Sequence, residues 1–425
     1  MRSALRRVTD RFWVLPLLFA VAATLLALGA TATDDALDTS LHLPFLFAGG
    51  PEGARAVLSA IITSMISFTG LVFSITIVVL QLTSSQFSPR VLRSFLGDRF
   101  NQCALGVFVA TFVYALVVLR GVRGTAQVDS FVPQIAVTVA FVLVLASVLV
   151  FLAYIHHIAQ SIRAATVVAS IADDTRALIG DRLPAEPDPD DPHADGPSSS
   201  GSEPVAATRW KGGPGRQVLA TEAGVVQRVD DAALAVAADE HGASVELLRA
   251  VGEFVPLGAP LALVRGADLD DEQVLTAVHL GRERSMDEDV GFGLRQLVDI
   301  AERALSPGVN DPTTAVQCLD ELHDLVRRLA TRPVRPWRCT TTQGTHAVVV
   351  PQPRFADYLS LAFDEIAHWG RDSPRVLRRV DVALRDLEVA ARPEHRPAVQ
   401  AAIERHGGAT ARVVTALSPS DVGLR

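Results

Sequence analysis

Polar and small residues recur at regular intervals along a long apolar run that begins after Arg55. The run carries no charged residue until Arg90. The recurring residues lie three, four or seven positions apart: Ser59, Thr63, Ser67, Gly70, Ser74 and Gln81. Such intervals place them on one face of an α-helix, which we call the polar face. This face needs a partner, because unpaired polar groups are costly in hydrocarbon.

Two roles fit the polar face. Hydroxyl oxygens can replace the hydration shell of an ion, so the face is suited to line a pore or a water-filled cavity. Small residues also let two helix backbones approach closely, so the face is equally typical of a packed seam between membrane helices. No ionisable residue lies in the run to act as a selectivity element. The sequence leaves both interpretations open.

A second group of polar residues surrounds a Ser-Pro-Gly turn in the C-terminal half. Before the turn, Arg295, Asp299 and Arg303 are four residues apart and share one face of a predicted helix. After the turn, Asp311 is placed to cap a second helix that starts at Pro312. The complete candidate motif for a ligand site or a structural element is Arg295, Gln296, Asp299, Arg303, Ser306, Asn310 and Asp311.

This motif also has two interpretations. In the first, the charged residues form a row of ion pairs that holds a helix–loop–helix together. In the second, Arg295 and Arg303 bind an anion near the free N-terminus of the following helix. The residues do not identify the small ligand that such a site would take.

The sequence offers no sign of catalysis, of a cofactor or of a metal site. It contains no Gly/Lys phosphate loop, His-Glu-x-x-His, Cys-x-x-Cys or Gly-x-Ser-x-Gly motif. Cys103, Cys318 and Cys339 form no close pair. A net charge of −8 argues against a nucleic-acid partner. We therefore predict a protein that is not an enzyme and that binds no cofactor.

Four apolar runs position these residues. They cover about residues 12–28, 55–87, 103–119 and 131–163, within a transmembrane domain of residues 1–165. A hydrocarbon layer about 30 Å thick needs about 20 apolar residues of helix. The first run also resembles a signal peptide, with Ala30-Thr31-Ala32 as a cleavage site. Its length and the further runs favour an uncleaved helix, and the lipid bilayer is the first expected partner.

Arginine placement predicts the orientation. The arginines outside the runs are more numerous on the side of the N-terminus, and positive charge favours the cytoplasmic side of a membrane. The predicted cytoplasmic arginines are Arg2, Arg6, Arg7, Arg11, Arg90, Arg93, Arg99 and Arg163, against Arg55, Arg120 and Arg123 outside. Both termini are therefore predicted to be cytoplasmic. The fourth run continues without Gly or Pro until Gly180, which predicts an unbroken helix that leaves the membrane as a stalk.

The remaining chain divides by composition. Residues 183–215 form an acidic linker rich in Pro, Ser and Gly. Residues 216–268 are rich in short β-type runs, residues 269–416 are mainly helical, and residues 417–425 form a tail. Predicted helices include Val274–Leu280, and a predicted strand covers Ala347–Val350. The fold class is thus an α-helical membrane domain followed by a cytoplasmic α+β region, with a small β-barrel-like segment and a helical bundle.

The β-barrel expectation comes from a resemblance. Residues 251–261 resemble the turn of the barrel–sandwich hybrid in biotinyl and lipoyl carriers. Those carriers need a lysine in the hairpin, and Lys211, the only lysine of the chain, lies elsewhere. The resemblance implies a small β-barrel without a swinging-arm cofactor.

Two longer stretches resemble one family across nearly the whole chain. The first contains Phe68-Thr69-Gly70 and Gln86-Phe87-Ser88-Pro89-Arg90, and the second contains Gly293-Leu294-Arg295-Gln296 and Ser306-Pro307-Gly308-Val309-Asn310-Asp311-Pro312. These stretches are similar to the bacterial predicted membrane proteins grouped as domain of unknown function 2254. The resemblance implies four membrane helices, a C-terminal soluble part and a place in the bacterial plasma (inner) membrane. It implies no activity, substrate or catalytic residue.

Two functions follow from these features. The first is a homo-oligomeric channel or transport-like protein that is gated by its own cytoplasmic domain. This function implies that the chain associates with itself. The alternative is a membrane-anchored binding or scaffold module without transport activity.

Overall fold

A computed structural model describes residues 13–36, 47–86, 98–125, 128–161, 163–183, 215–266, 269–340 and 346–416. These residues form two compact units, Met1–Thr166 and Val167–Arg425. Most of the predicted acidic linker, the predicted tail and the second half of the first family stretch lie outside the described residues.

Among its described residues the first unit contains four long helices, which confirms the predicted number of long apolar helices. Each is long and apolar enough to cross a membrane. They are α1 (Val14–Ala36), α2 (Pro51–Gln86), α3 (Arg99–Gly121) and α4 (Gln134–Ser161). A hairpin of β1 (Arg123–Thr125) and β2 (Val128–Phe131) joins α3 to α4.

Helix α3 packs against the other three helices at the centre of this unit. The Tyr114 hydroxyl donates to the Ala136 carbonyl of α4 at 3.1 Å, and the Thr111 and Ser147 hydroxyls lie 2.9 Å apart. Asp34 accepts hydrogen bonds from the first amides of α4. Interhelical hydrogen bonds of this kind hold membrane helices together.

The prediction of an unbroken stalk is wrong. Helix α4 ends at Ser161, and a separate helix, α5 (Ala164–Arg182), begins three residues later. At this interruption the Arg163 amide bonds to the Gln160 carbonyl and the Thr166 amide bonds to the Arg163 carbonyl, each three residues back in place of the four of an α-helix. The apolar residues of α5 are buried within the second unit.

The second unit is a mixture of helices and strands, as predicted at that level. Its strands are β3 (Arg216–Leu219), β4 (Gly224–Val229), β5 (Ser244–Leu247), β6 (Phe254–Val255), β7 (Pro260–Arg265), β8 (Val278–Gly281), β9 (Trp337–Thr340) and β10 (His346–Val350). Its helices after α5 are α6 (Asp231–Glu240), α7 (Asp271–Ala277), α8 (Val290–Leu305), α9 (Pro312–Ala330), α10 (Phe355–Trp369), α11 (Pro374–Ala390) and α12 (Arg396–Ala416).

The described strands do not close into the expected barrel. They form a five-stranded sheet, β3-β7-β5-β10-β9, and a three-stranded sheet, β6-β4-β8. Strand β10 arrives from far along the chain and pairs parallel with β5, with Val348 opposite Val245. This strand extends the sheet beyond β5 instead of letting it close. Both sheets cover one shared core of valine, leucine and alanine side chains.

Helices α8 to α12 form the other layer of the second unit. Helix α8 packs against α9 and α10, and α11 packs against α9 and α12. Asp289 caps α8 by accepting from the Phe292 amide at 2.9 Å. The buried faces of these helices carry the apolar residues at helical spacing, including Leu297, Leu322, Phe363 and Leu384.

Candidate functional site

The polar face of α2 points away from the rest of its unit. All six of its residues, from Ser59 to Gln81, are exposed. A Cβ atom at Gly70 would have no neighbour within 4 Å. Among the described residues, therefore, no helix of the same chain covers this face, and a seam inside one chain does not account for it.

The buried face of α2 lies on the opposite side of the helix. Leu58, Met65 and Val72 are almost completely buried against the neighbouring helices. Successive residues turn by about 100°, and this places the buried face about 180° from the polar face. The helix thus has one side for its own unit and one side free of it.

Large apolar side chains flank the polar face on both sides. Ile66 and Phe73 lie along one edge and Leu71 lies along the other, and all three are exposed. An exposed apolar surface suits either lipid or a second protein surface. The hydroxyl row therefore runs between two apolar borders.

The hydroxyl groups of the polar face are partly engaged with their own helix. The Thr63 hydroxyl donates to the Ser59 carbonyl at 2.9 Å, and the Ser67 hydroxyl donates to the Thr63 carbonyl at 3.0 Å. Their protons are thus directed at the helix backbone, while the oxygen lone pairs remain available as acceptors. Such oxygens can accept hydrogen bonds from water or approach a cation.

The charged residues of the second candidate motif are already paired. The Arg295 guanidinium donates to Asp299 at 2.8 Å and binds both carboxylate oxygens of Glu365 on α10. Glu302 lies 3.5 Å from the same guanidinium. These carboxylates raise the pKa of Arg295, with the Glu365 hydrogen bonds as the largest cause. Arg295 joins α8 to α10 in this arrangement.

The other residues of this motif do not gather around one point. Gln296 is buried and Arg303 is exposed. Ser306 donates to the Arg303 carbonyl at 2.7 Å, and Asn310 has a positive φ of 48°. The motif is thus distributed along α8 and the following turn.

Asp311 occupies the N-terminus of α9. Its carboxylate accepts from the Thr313 amide at 3.0 Å, from the Thr314 amide at 3.1 Å and from the Thr314 hydroxyl at 2.6 Å. The Thr314 side-chain bond is the largest cause that lowers the pKa of Asp311. A side chain of the protein itself therefore satisfies the amides that would hold an external anion.

Sequence reasoning missed the contact between α5 and α8. Gly293, in the first turns of α8, faces Thr175 of α5: a Cβ atom there would lie 2.8 Å from the Thr175 Cγ2 and 2.9 Å from its Cβ. Glycine permits this close approach, because any side chain would overlap α5. The two glycines before Arg295 were the available signal, and their role is packing.

Ion pairs hold α5 at two further points. Arg176 of α5 donates to Glu321 at 2.8 Å and to Asp324 at 2.9 Å, both on α9. Near the end of α5, Arg182 pairs with Glu288, whose side chain is only 7% exposed. Burial raises the pKa of Glu288. Helix α5 is therefore tied to α9 at Arg176 and to the segment before α8 at Arg182.

A small cavity lies where α5, α8 and the segment after β10 meet. Its volume is about 40 Å³, which has room for a few water molecules. Arg182, Glu288, Gln352 and Tyr358 supply its polar lining. Burial raises the pKa of the Tyr358 hydroxyl, which therefore stays protonated. In the described part of the chain, no three His, Cys, Asp or Glu side chains are placed to hold a metal ion.

These features define a membrane protein with four long apolar helices and a second unit of mixed helices and strands. The chain belongs to the predicted membrane protein family DUF2254, whose model matches residues 9–386. This result confirms the family resemblance found in the sequence.

Mycobacterial proteins are among the relatives of the chain. It is 34% identical over 373 residues to the uncharacterized protein Rv1290c of Mycobacterium tuberculosis, an alignment that covers 86% of this chain and 69% of that protein. The uncharacterized protein Mb1321c of Mycobacterium bovis aligns to the same extent. No solved structure matches the chain.

Proposed function

We propose that the protein is a homo-oligomer in which the polar faces of α2 line a path for small solutes across the bacterial plasma membrane. The observation that carries this proposal is the exposure of all six polar-face residues on the side of α2 opposite its buried face. Serine and threonine rows need a partner in hydrocarbon. A second copy of the chain, together with water between the copies, supplies that partner.

The borders of the polar face support this arrangement. Ile66, Phe73 and Leu71 are exposed on either side of the hydroxyl row. In an oligomer these side chains pack between neighbouring copies, while the row between them faces the path. The outward lone pairs of Thr63 and Ser67 favour water and cations.

The second unit is placed in the chain to regulate such a path. Helix α5 starts directly after α4 in the sequence and is anchored to α8 and α9. A rearrangement of α8 therefore acts on the helix that follows the last membrane span. With the arginine bias of the sequence, this unit and both termini are assigned to the cytoplasm.

A membrane-anchored binding module is the second candidate function. The cavity beside Tyr358, with its polar and apolar lining, favours it. In that case the polar face is a packing seam between copies and nothing crosses the membrane.

Substitutions on α2 distinguish these functions. We expect the full-length protein in liposomes to pass small ions under a concentration gradient. The variants Ser67→Leu and Ser74→Leu should reduce this ion flux at least about tenfold, because leucine removes the hydroxyl and narrows a hydrated path. The measurement is ion flux into vesicles that contain a fluorescent indicator, with assembly checked by size-exclusion chromatography.

Ser64→Leu is the matched control. Ser64 is exposed on the same helix but lies about 100° around the axis from the centre of the polar face, at the border that Leu71 forms, so its replacement should reduce the flux far less than Ser67→Leu or Ser74→Leu. Loss of assembly in the Ser67 and Ser74 variants would instead identify a packing seam. An intact oligomer that passes no potassium, sodium or chloride would overturn the conduit.

A further inference from the structure

The guanidinium of Arg295 lies next to three carboxylates at the contact between α8 and α10. Arg295 donates to Asp299 at 2.8 Å, binds Glu365 through two hydrogen bonds and lies 3.5 Å from Glu302. The side chains of Arg295, Asp299 and Glu302 are 20%, 16% and 26% exposed. The side chain of Glu365 is 45% exposed. Three carboxylates thus surround one guanidinium in a cluster that is mostly shielded from solvent on α8.

Two of the carboxyl groups share one nitrogen of the guanidinium. The Oε2 atoms of Glu302 and Glu365 both lie next to Nη2 of Arg295. Two carboxylates held so close together repel each other, and a proton on one of them removes the repulsion and supplies a hydrogen-bond donor to the other. Arg295 holds Glu365 more tightly than Glu302, so the proton belongs on Glu302.

The other charged side chains around Glu302 and Glu365 have partners of their own. On α10, the neighbouring Asp364 is occupied by Ser360 and, from α12, by Arg405 and His406. The charged side chains of α9 with described partners bond to α5, to α11 or within α9: Asp320, Glu321, His323, Asp324, Arg327 and Arg328. In the described part of the chain, Arg295 is thus the one cation that an ion pair places against Glu302.

We propose that the Arg295, Glu302 and Glu365 cluster is a proton-binding joint between α8 and α10, in which Glu302 holds a proton shared with Glu365. Release of that proton leaves two carboxylates in contact and weakens the packing of the two helices. Helix α5 also packs against α8 at Gly293. The proposed joint therefore lies on the same helix that contacts α5, the helix that follows α4 in the sequence. The inference does not depend on whether α2 lines a path.

The direction of the pH effect follows from the two acids. Burial, followed by the contact with Glu365, raises the pKa of Glu302 from its ordinary 4.5 to about 7. The folded protein therefore keeps a proton that the unfolded chain releases, and the stability from this group is present in acid and lost as the pH rises through about 7. The Arg295 hydrogen bonds lower the pKa of Glu365 to about 2, so Glu365 stays ionised throughout this range.

The variant Glu302→Gln tests the joint. Glutamine keeps a hydrogen-bond donor toward Glu365 but cannot ionise, so it resembles the protonated acid. The melting temperatures of the full-length wild type and variant are measured in detergent at about pH 5.5 and about pH 8.5. Between these two pH values, we expect the melting temperature of the wild type to fall by about 3–6 °C more than that of Glu302→Gln. The variant should match the wild type in acid and exceed it in base.

Infrared spectroscopy supplies a direct readout. A protonated carboxylic acid has a carbonyl stretch that a carboxylate lacks. The spectrum of the wild type at pH 6 minus its spectrum at pH 8.5 should contain that band, and the band should be smaller in the same difference spectrum of Glu302→Gln. Asp299→Asn should shift the loss of the band to lower pH, because it removes a neighbouring negative charge.

Glu404→Gln on α12 is the matched control, since Glu404 is exposed and distant from this cluster in the sequence. It should leave the pH dependence of the melting temperature unchanged. The proposal is overturned if Glu302→Gln loses stability equally at all pH values, or if the difference band between pH 6 and pH 8.5 is as large in that variant as in the wild type. If the variant does not fold, the response of the band to Asp299→Asn decides the question.

Discussion

Gly293 shows how a single residue fixes the position of a helix. It lies where α5 crosses α8, and the Thr175 side chain fills the space that a Cβ atom would need. Glycine usually weakens a helix interior by about 0.5–1 kcal/mol relative to alanine. Its presence here is explained by the close approach of α5.

Alanine at this position should therefore destabilise the protein. We expect Gly293→Ala to lower the free energy of unfolding by about 1–3 kcal/mol, because overlap with Thr175 outweighs the better helix propensity of alanine. The measurement is thermal or denaturant unfolding of the full chain in detergent.

Thr175→Ala should partly rescue that variant, since it removes the atoms in closest overlap. Gly180→Ala is a suitable control, because a Cβ atom at Gly180 of α5 has no neighbour within 4 Å. Equal stability of Gly293→Ala and the wild type would contradict the packing role.

Among elements, α5 is tied to the rest of the second unit by a set of ion pairs. Arg176 bonds to Glu321 and Asp324 of α9, while Arg182 pairs with the buried Glu288. Hydrogen bonds between charged groups contribute more when they are partly buried and paired in a network. The side chain of Arg176 is 28% exposed, so solvent screens it only in part.

Removal of Arg176 should release the middle of α5. We expect Arg176→Gln to cost about 1–2 kcal/mol and to speed amide hydrogen exchange in α5 more than in α8. Exchange measured by mass spectrometry on the full chain checks this outcome.

Arg385→Gln provides the comparison for this prediction. Arg385 also pairs with an aspartate, Asp381, but its side chain is 67% exposed on α11. An exposed pair of this kind contributes little, so exchange in α5 should not change. Similar exchange in both variants would show that the Arg176 pairs do not anchor α5.

At the scale of the whole molecule, the polar face of α2 sets the expected assembly. We expect native mass spectrometry of the full chain in detergent to give a multiple of 45.4 kDa greater than one, because a second copy must cover a polar row that the chain itself leaves exposed. A mass of one chain at all protein concentrations would contradict self-association.

The same measurement separates a seam from a path. In a seam, leucine at Ser67 prevents close approach and lowers the mass to that of one chain. In a path, the apolar borders at Ile66 and Phe73 hold the copies together, and the mass is unchanged in the Ser67 variant.

Local sequence patterns were sufficient to predict those features of the structure that depend on residues close together in the chain. The four apolar helices follow from runs long enough to cross a bilayer. The cap of α9 by Asp311 follows from the residues directly after it. The helix predicted over Val274–Leu280 covers Asp271–Ala277 instead. It ends three residues earlier than expected, because β8 begins at Val278 and pairs with β4 some fifty residues away.

By itself, the sequence of this protein determined the number of apolar helices, the alignment of the polar residues on one side of α2, and the turn between α8 and α9. The tertiary structure alone decided that this polar face points away from its own unit, that Glu365 occupies Arg295, and that β10 extends the sheet where a barrel was expected. The physical reason is distance along the chain: helix periodicity and caps involve residues within a few positions, whereas these contacts depend on how surfaces 70 or more residues apart fit together.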